Sequence, residues 1–274
     1  MARWPSFPPT EYLGQLEPEF QAWLKAQRSD VSRQDCEWYH TSVLRSGEVI
    51  QGAWDLRGGE SAYLGGTDFA GSRVLELGPA SGYLTFWMER SGAEVVGFEA
   101  GFDVPVDLIP FEGRDMRVEK AIIMDVVDRV HNSWWLMHED LGSNAKLVHG
   151  NIYRQPSDLG MFDVSVFGAI LLHLREPWGA ISEAARRTTH RMIVTDVLED
   201  AANPEANVMR FASAGRDAIT NWWTISPGAV VEMLTRLGFG NTRISYHTQQ
   251  HHLGHRLHEP PISMSMFTVV GDRI

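Results

Sequence analysis

Apolar residues in the middle of the chain form short runs that alternate with amphipathic segments. The runs predict strands over 73–77, 94–99, 146–149, 162–169 and 191–197, and the periodic segments predict helices over 82–91, 115–141, 177–187 and 226–238. Two later runs, 242–247 and 264–270, predict an antiparallel hairpin that completes the sheet. Alternating strands and helices are typical of an α/β fold with helices on both faces of the sheet. We therefore expect a doubly wound, seven-stranded sheet.

Residues 1–70 precede the first of these strands and carry a different pattern. Apolar residues at helical spacing predict a helix over 11–28. The runs 37–44 and 48–50 flank Arg45, Ser46 and Gly47, which predicts a hairpin. This N-terminal extension is too small to bury its own apolar surface. We expect residues 1–70 to form a lid on a single domain that covers 71–274.

The first predicted strand ends in a loop of small residues. Gly78, Ala80 and Gly82 occupy alternate positions of this loop, and Glu99, which ends the second strand, lies 21 residues after Gly78. Small residues let the main chain approach a ligand closely, and a carboxylate at the next strand end can accept hydrogen bonds from both ribose hydroxyls. The pattern therefore predicts a nucleoside-binding unit.

The spacing within this loop separates two kinds of nucleoside cofactor. A dinucleotide-binding turn has a third glycine where this chain has Tyr83. The loop contains no basic residue, and Glu76 at the end of the strand would repel a phosphate group. An acidic residue there favours a ligand that carries an ammonium group, such as the methionine part of S-adenosylmethionine.

These residues resemble motif I of the class I S-adenosylmethionine-dependent methyltransferases. The resemblance implies a Rossmann-like fold, S-adenosylmethionine as cofactor and a methyl-transfer activity. Ala80 departs from the middle glycine that is usual in the family. The family commonly has an acid after the third strand, which binds the adenine amino group, and Asn151 with Ile152 stands there; a simple loop asparagine is the alternative. The cofactor-binding residues predicted in this way are Glu76, Gly78, Ala80, Gly82, Glu99, Asn151 and Ile152.

Two polar residues follow predicted strands at the edge where ligands of α/β sheets bind. His173 comes after the fourth strand and Asp196 ends the fifth. A neutral imidazole or a carboxylate there can take a proton from an attacking hydroxyl or amine. The alternatives are a histidine that hydrogen-bonds a loop and an aspartate that caps one. We predict His173 and Asp196 as catalytic residues.

A narrower resemblance extends over residues 37–198. Segments 38–41, 54–57 and 162–177 are similar to methyltransferases related to the enzyme that carboxymethylates wobble uridine in tRNA. We extend the fold and cofactor class to this chain, but not the tRNA substrate. With the insertion that precedes the last predicted helix, these segments give a predicted set of substrate-binding residues: Tyr39, His40, Trp54, Arg57, Arg210, Trp222 and Trp223.

The charge balance narrows the class of substrate. The chain has 24 Lys and Arg against 35 Asp and Glu, a net charge of −11. Nucleic-acid binding depends largely on basic residues that neutralise phosphates, so we expect a small-molecule acceptor, methylated on oxygen or nitrogen. Cys36 is the only cysteine, which excludes an intrachain disulfide and fits a reducing cytoplasm. We expect neither a signal peptide nor a membrane span.

Three other interpretations are open. His247, His251 and His255, with His258 nearby, raise the possibility of a metal that assists C-methylation. We predict no metal site, because no glutamate completes a known zinc arrangement there. A nicotinamide oxidoreductase would need glycine in place of Tyr83. A non-catalytic partner protein that only retains the fold is the third alternative.

Overall fold

The computed structural model describes residues 14–101, 106–199, 206–211, 219–253 and 256–274. Its helices are α1 (Pro18–Ala26), α2 (Glu60–Tyr63), α3 (Tyr83–Arg90), α4 (Met116–Leu141), α5 (Pro177–Ala185) and α6 (Pro227–Arg236). Its strands are β1 (Ser42–Val43), β2 (Val49–Ile50), β3 (Trp54–Asp55), β4 (Arg73–Leu77), β5 (Glu94–Ala100), β6 (Lys146–Gly150), β7 (Phe162–Gly168), β8 (Thr188–Val197), β9 (Met209–Phe211), β10 (Trp223–Ile225), β11 (Phe239–His251) and β12 (Ile262–Arg273). Single 3₁₀ turns lie at Arg33–Asp35, Ser157–Leu159 and Leu171–His173.

The central sheet has the strand order β3-β11-β12-β8-β7-β4-β5-β6. Strands β4 to β8 are parallel, and β12 is antiparallel to both β8 and β11. The seven strands predicted from the apolar runs are therefore present in a doubly wound arrangement. The described residues add an eighth strand, β3, in which Trp54 pairs with His251 and Asp55 with Gln250.

The sheet separates two apolar cores. Successive residues of a strand point to opposite faces, so Val74 belongs to one core and Leu75 to the other. Helices α3 and α4 and the N-terminal extension supply the first core, with Trp134 at its centre. Helices α5 and α6 supply the second. A strand buried on both faces is a continuous apolar run, which explains why the sequence pattern located these strands.

The N-terminal extension reaches both edges of the sheet. The side-chain amide of Gln21 donates to the carbonyl of Leu147 at 2.8 Å and accepts from the N–H of Leu147 at 3.1 Å. Gln15 makes the same pair of bonds with His149, at 2.7 and 2.9 Å. These amides take the place of a neighbouring strand beside β6. At the other edge, β3 covers the end of β11.

A buried ion pair also holds the extension against the long helix. Arg28 lies 2.7 Å from a carboxylate oxygen of Asp128, and both side chains are about nine-tenths buried. The guanidinium of Arg28 also donates to the side-chain oxygen of Asn132 at 2.5 Å. Burial of a charge is costly unless it is paired in this way. The contact therefore fixes the chain after α1 onto α4.

Several predicted boundaries differ from the observed ones. Helix α1 begins at Pro18, and residues 11–13 of the predicted helix lie outside the described residues. The strand predicted over 242–247 is longer in the structure. Strand β11 continues to His251, and its polar residues there pair with β12. The predicted hairpin of the extension is confirmed in the short pair β1 and β2. No helix in the described ranges is long and apolar enough to cross a membrane.

Candidate functional site

The loop that links β4 to α3, residues 78–82, has an unusual main-chain conformation. Gly78, Ala80 and Gly82 all have positive φ angles, of 73°, 49° and 82°. Glycine adopts this left-handed conformation readily, whereas alanine is strained there. A side chain at Gly78 would overlap Ile170, and one at Gly82 would lie 2.6 Å from the Trp134 ring. The small residues are thus required by the loop's shape.

Glu99 faces this loop from the end of the neighbouring strand. Its carboxylate accepts hydrogen bonds from the N–H of Ala100 at 2.8 Å and, more weakly, from the N–H of Ala80 at 3.4 Å. Burial raises the pKa of Glu99, and the two N–H groups oppose this shift. The carboxylate is thus held at the loop with its remaining lone pairs available to a ligand.

Glu76 lies below the loop and is 3% exposed. The hydroxyl of Thr85, in the first turn of α3, donates to its carboxylate. Burial raises the pKa of Glu76 to about 7, and the negative charge of Glu99 acts in the same direction. A carboxyl that is half protonated near neutral pH attracts an ammonium group less strongly than the sequence indicated.

Asn151 follows β6, as predicted, and forms a local turn. Its side-chain oxygen accepts a hydrogen bond from the N–H of Tyr153 at 2.9 Å. Asparagine side chains that stabilise their own loop typically make this hydrogen bond to the main chain two residues later. The second lone pair of the same oxygen can still accept from a ligand. Ile152 is half-buried against the second core.

Asp107 connects the loops that surround this edge of the sheet, and the sequence analysis did not find it. Its carboxylate accepts hydrogen bonds from the Tyr153 hydroxyl and, at 2.9 Å, from the N–H of Arg175. Its carbonyl accepts from the indole N–H of Trp222 at 3.1 Å. These partners follow β6, β7 and β9, so only the folded structure brings them together.

His173 lies in the 3₁₀ turn after β7 and is held by its neighbours. Its Nδ1 lies 3.0 Å from the carbonyl oxygen of Thr220. Burial lowers the pKa of His173, while Thr220 and Asn221 raise it in part. The ring is therefore neutral near neutral pH, and its Nδ1–H donates to the carbonyl oxygen of Thr220. This arrangement matches the alternative in which the histidine positions a loop.

The tryptophans of the predicted substrate set lie beside this turn. The main-chain N–H of Trp222 donates to Leu172 at 2.8 Å, and the indole of Trp223 donates to the carbonyl of Arg175 at 3.2 Å. Phe211 packs edge-on against both indoles, with ring centroids 6.0 and 5.7 Å away. Both indole N–H groups are thus used within the protein. Arg210 is exposed on β9, immediately before Phe211, and pairs with Thr224 of β10.

Asp196 immediately precedes Val197, the last residue of β8, and is 3% exposed. One carboxylate oxygen accepts from the N–H of Val197 at 2.7 Å. The other oxygen is buried and makes no hydrogen bond of ordinary geometry within the described ranges, although the main-chain N–H of Leu172 lies close enough to the carboxylate to act on its pKa. Burial raises the pKa of Asp196 to about 7, the charge of Glu199 adds to this shift, and the N–H groups of Val197 and Leu172 oppose it. A buried polar atom without a partner is uncommon and is a feature of ligand-binding sites.

The four predicted substrate-binding residues of the extension differ in their surroundings. His40 lies at the loop, where its main-chain N–H donates to the Ser81 hydroxyl at 2.9 Å, and burial lowers its pKa to about 3. Tyr39 is next to it, and its pKa is raised by burial and by the charge of Asp196, with a bond from Trp54 opposing the shift. Trp54 itself stacks on His251 at the sheet edge. Arg57 is exposed and paired with Asp55.

Tyr63, at the end of α2, is a second residue that the sequence analysis missed. It is 4% exposed. Its carbonyl accepts hydrogen bonds from the hydroxyls of Thr195 at 2.6 Å and Thr268 at 3.1 Å. A Cβ atom added at Gly168 would lie 3.3 Å from the Tyr63 hydroxyl oxygen, so the ring covers the end of β7. The four-residue helix has no apolar period, and the sequence offered no signal for it.

The histidines near the C-terminus have other contacts. His247 lies 3.0 Å from the Thr268 hydroxyl and 3.1 Å from the side-chain nitrogen of Gln249. His251 stacks on Trp54 with a centroid distance of 4.1 Å. Within the described parts of the chain, no group of three or more His, Cys, Asp or Glu side chains is placed to hold a metal ion. His255 lies outside the described residues.

The chain is similar to known proteins in structure alone. No family model and no curated protein matches its sequence. The N-terminal domain of EvdMO1 with SAH bound has a TM-score of 0.52 and 16% identity over 92% of this chain and 97% of that domain. The same domain, crystallised in the presence of SAH and D-fucose, has a TM-score of 0.51 and 17% identity, again over 92% and 97%. Complete EvdMO1 has a TM-score of 0.51 and 15% identity over 95% of this chain, which spans 48% of that protein.

The main chain of this protein and that of the EvdMO1 N-terminal domain follow a similar path over almost the whole chain, although few residues are identical. Identities this low establish the architecture and nothing about chemistry. Together with the strand order and the helices on both faces of the sheet, these comparisons show that the chain has a Rossmann-like fold like that of the EvdMO1 N-terminal domain.

Proposed function

We propose that the chain is a methyltransferase that binds S-adenosylmethionine between the 78–82 loop and Glu99. One arrangement carries the proposal: three left-handed residues shape the loop at the end of β4, and the carboxylate of Glu99, near the end of β5, faces the same loop. A carboxylate there can accept hydrogen bonds from ribose hydroxyls, and the loop lies at the carboxyl end of β4, where ligands of open α/β sheets bind. The SAH bound to the EvdMO1 domain supports this assignment.

The residues present fit this cofactor. Gly78, Ala80 and Gly82 would contact the adenosyl group, Glu99 the ribose, and Asn151 with Ile152 the adenine. When bound, S-adenosylmethionine supplies a methyl group that its sulfonium has already activated. The tasks left to the protein are to align the acceptor with the methyl group, to exclude water and to accept a proton.

Asp196 is the group best suited to accept that proton. One of its oxygens is buried without a hydrogen bond of ordinary geometry, and its pKa of about 7 lets it be ionised at working pH. As the acceptor takes the methyl group that the bound cofactor would supply, the carboxylate of Asp196 would accept the acceptor's proton. His173, bonded to the carbonyl of Thr220, positions the loop after β7.

The acceptor in this proposal is a small molecule. The net charge of −11 opposes binding to a phosphate backbone, so the similarity to the tRNA-modifying subgroup supports the fold and the cofactor rather than its substrate. A metal-assisted C-methylation would need a ligand set, and none was found among the described side chains.

Calorimetric titration tests the cofactor assignment. We expect S-adenosylhomocysteine to bind with one site per chain and NADH not to bind. Binding of NADH but not S-adenosylhomocysteine would reassign the site to a nicotinamide cofactor. Transfer of a labelled methyl group from S-adenosylmethionine into a pool of small metabolites tests catalysis. A protein that binds the cofactor but labels no acceptor in that pool would be a non-catalytic partner protein.

A further inference from the structure

We propose that Asp107 is a positioning residue of the cofactor site. Through Tyr153 it fixes the side-chain amide of Asn151 in one orientation, and the fixed amide selects adenine over hypoxanthine, the purine base that has an oxo group in place of the amino group. This inference rests on the methyl-transfer function proposed above, in which Asn151 contacts the adenine of the cofactor. It adds the source of the site's selectivity for that base.

The main chain around Asp107 is anchored to the segment that precedes β10. The carbonyl of Asp107 accepts a hydrogen bond from the indole N–H of Trp222 at 3.1 Å. Two residues later, the main-chain N–H of Ile109 donates to the carbonyl of Ile219 at 2.8 Å, and both isoleucine side chains are buried. These contacts fix the place from which the carboxylate of Asp107 acts.

The carboxylate of Asp107 binds two further connections of the sheet through a single oxygen. Its Oδ2 accepts hydrogen bonds from the hydroxyl of Tyr153, after β6, and from the main-chain N–H of Arg175, after β7, at 2.9 Å. The hydroxyl of Tyr153 in turn accepts from the main-chain N–H of Glu176 at 3.2 Å. The hydroxyl end of Tyr153 is therefore held by both a donor and an acceptor.

The main-chain end of Tyr153 holds Asn151. The N–H of Tyr153 donates to the side-chain oxygen Oδ1 of Asn151 at 2.9 Å, and the N–H of Arg154 donates to the carbonyl of Asn151 at 2.9 Å. Between its two ends, the ring of Tyr153 packs against the second core. The position of Asp107 is thus transmitted through one side chain to Asn151. Supporting contacts of this kind hold a ligand-binding group in place.

The bond from Tyr153 determines which way round the amide of Asn151 stands. A main-chain N–H needs an acceptor, so Oδ1 stays on Tyr153 and the amide nitrogen takes the other position. Oδ1 keeps a second lone pair for a ligand, and the nitrogen keeps its two donors. If Tyr153 were loose, the amide of Asn151 would be free to turn by half a revolution and exchange its oxygen with its nitrogen.

Adenine and hypoxanthine present opposite groups to such an amide. Adenine has an amino donor next to a ring nitrogen that accepts, whereas hypoxanthine has an oxo acceptor next to a ring N–H that donates. An amide that turns freely can match either base, and a fixed amide matches only one. A binding site that leaves a polar group unpaired rejects the wrong ligand strongly.

Two cofactor analogues and four variants test the inference by calorimetry. The ligands are S-adenosylhomocysteine and S-inosylhomocysteine, which differ only in the base. Tyr153→Phe removes the hydroxyl and keeps the ring and the main-chain N–H, and Asp107→Ala removes the carboxylate. Asp107→Asn keeps one oxygen that can accept both hydrogen bonds. Tyr246→Phe is the matched control, because Tyr246 is 51% exposed on β11.

We expect the wild type to bind S-adenosylhomocysteine at least about tenfold more tightly than S-inosylhomocysteine. In Tyr153→Phe and Asp107→Ala this ratio of affinities should fall to about threefold or less, because S-adenosylhomocysteine loses affinity and S-inosylhomocysteine does not. Asp107→Asn and Tyr246→Phe should keep the ratio of the wild type. A residue that only stabilises the fold would weaken both ligands alike and leave the ratio unchanged.

Three results would overturn the inference: equal affinities of the wild type for the two ligands, an unchanged ratio in Tyr153→Phe, or the same loss of the ratio in Asp107→Asn as in Asp107→Ala. Melting temperatures identify a variant that does not fold, and Tyr153→Phe decides the outcome if Asp107→Ala is such a variant. Failure of the wild type to bind S-adenosylhomocysteine would instead overturn the proposed function.

Discussion

The hydroxyl oxygen of Ser81 lies 2.9 Å from the main-chain nitrogen of His40. Ser81 is fully buried in the 78–82 loop, and His40 belongs to the N-terminal extension, 41 residues earlier. The bond therefore joins the extension directly to the loop that we propose as the cofactor site. It makes the conformation of each segment depend on the other.

Ser81→Ala should loosen the extension at this point. The substitution leaves the buried N–H of His40 without a partner, and we expect the free energy of unfolding to fall by about 1–3 kcal/mol. Urea unfolding measures the loss, and faster hydrogen exchange at the His40 amide locates it. Ser245→Ala, on the exposed side of β11, is the control and should have little effect. Equal losses in both variants would contradict the assigned bond.

Ala80→Gly should stabilise the protein. Ala80 has a φ angle of 49°, a conformation that costs a residue with a side chain about 1–2 kcal/mol. Glycine removes this strain but adds freedom to the unfolded chain, so the net gain should be about 0.5–1 kcal/mol. Ala121→Gly, at an exposed position of α4, should lower stability by about 1 kcal/mol. A loss of stability in Ala80→Gly would mean that the loop is not left-handed there.

Glu99→Gln should weaken cofactor binding while preserving the fold. The amide replaces one carboxylate oxygen with a donor that faces the N–H of either Ala100 or Ala80, and it removes an acceptor for the ribose. We expect the affinity for S-adenosylhomocysteine to fall about tenfold or more, measured by calorimetry. Glu94→Gln, at the exposed beginning of the same strand, should bind normally. An unchanged affinity in Glu99→Gln would remove Glu99 from the site.

Asp196→Asn should change how stability depends on pH. An aspartate in the unfolded chain titrates near about pH 4, whereas burial raises the pKa of Asp196 in the folded protein to about 7. The unfolded chain thus loses this proton first, so the residue's contribution to stability is complete below about pH 4 and is lost as the pH rises through about 7. Glu76 acts in the same direction.

The asparagine variant lacks this titration. We compare the free energy of unfolding of Asp196→Asn with that of the wild type at each pH. We expect this difference, variant minus wild type, to be larger at about pH 8 than at about pH 5, by on the order of a few kcal/mol. Urea unfolding at the two pH values measures the difference. The same stability difference between variant and wild type at both pH values would show that Asp196 has an ordinary pKa.

Local patterns in the sequence identified most of the fold. The helix predicted over 115–141 is observed as α4, with Asp115 as its N-cap and Gly142 in the left-handed conformation after its last turn. The strands β4 to β8 are apolar runs because both faces are buried. Each of these features is encoded by residues that are close together in the sequence. The pairing of β3 with β11 depends instead on residues about two hundred positions apart, Trp54 with His251, and no local signal encodes it.

The candidate site was predicted less completely, for the same reason. Gly78, Ala80, Gly82 and Glu99 belong to one strand–helix–strand unit of the sequence, and the structure places Glu99 against the loop. Asp107 and Tyr63 lie in segments without periodicity, and their importance comes from contacts made across the fold. Trp222 and Trp223 are predicted as substrate-binding residues because this pair of tryptophans lies in the insertion before the last helix, and in the structure their indole N–H groups bind main-chain carbonyls of the protein itself.

The glutamine amides beside β6 have a consequence for how the protein behaves in concentrated solution. An outer strand with free N–H and C=O groups readily recruits a strand from another molecule. The side-chain amides of Gln15 and Gln21 hydrogen-bond the main-chain groups of Leu147 and His149. Because these partners are side chains, they offer no further strand edge to which another molecule could pair. Removal of the first seventy residues would therefore leave a sheet that self-associates, whatever its remaining affinity for a ligand.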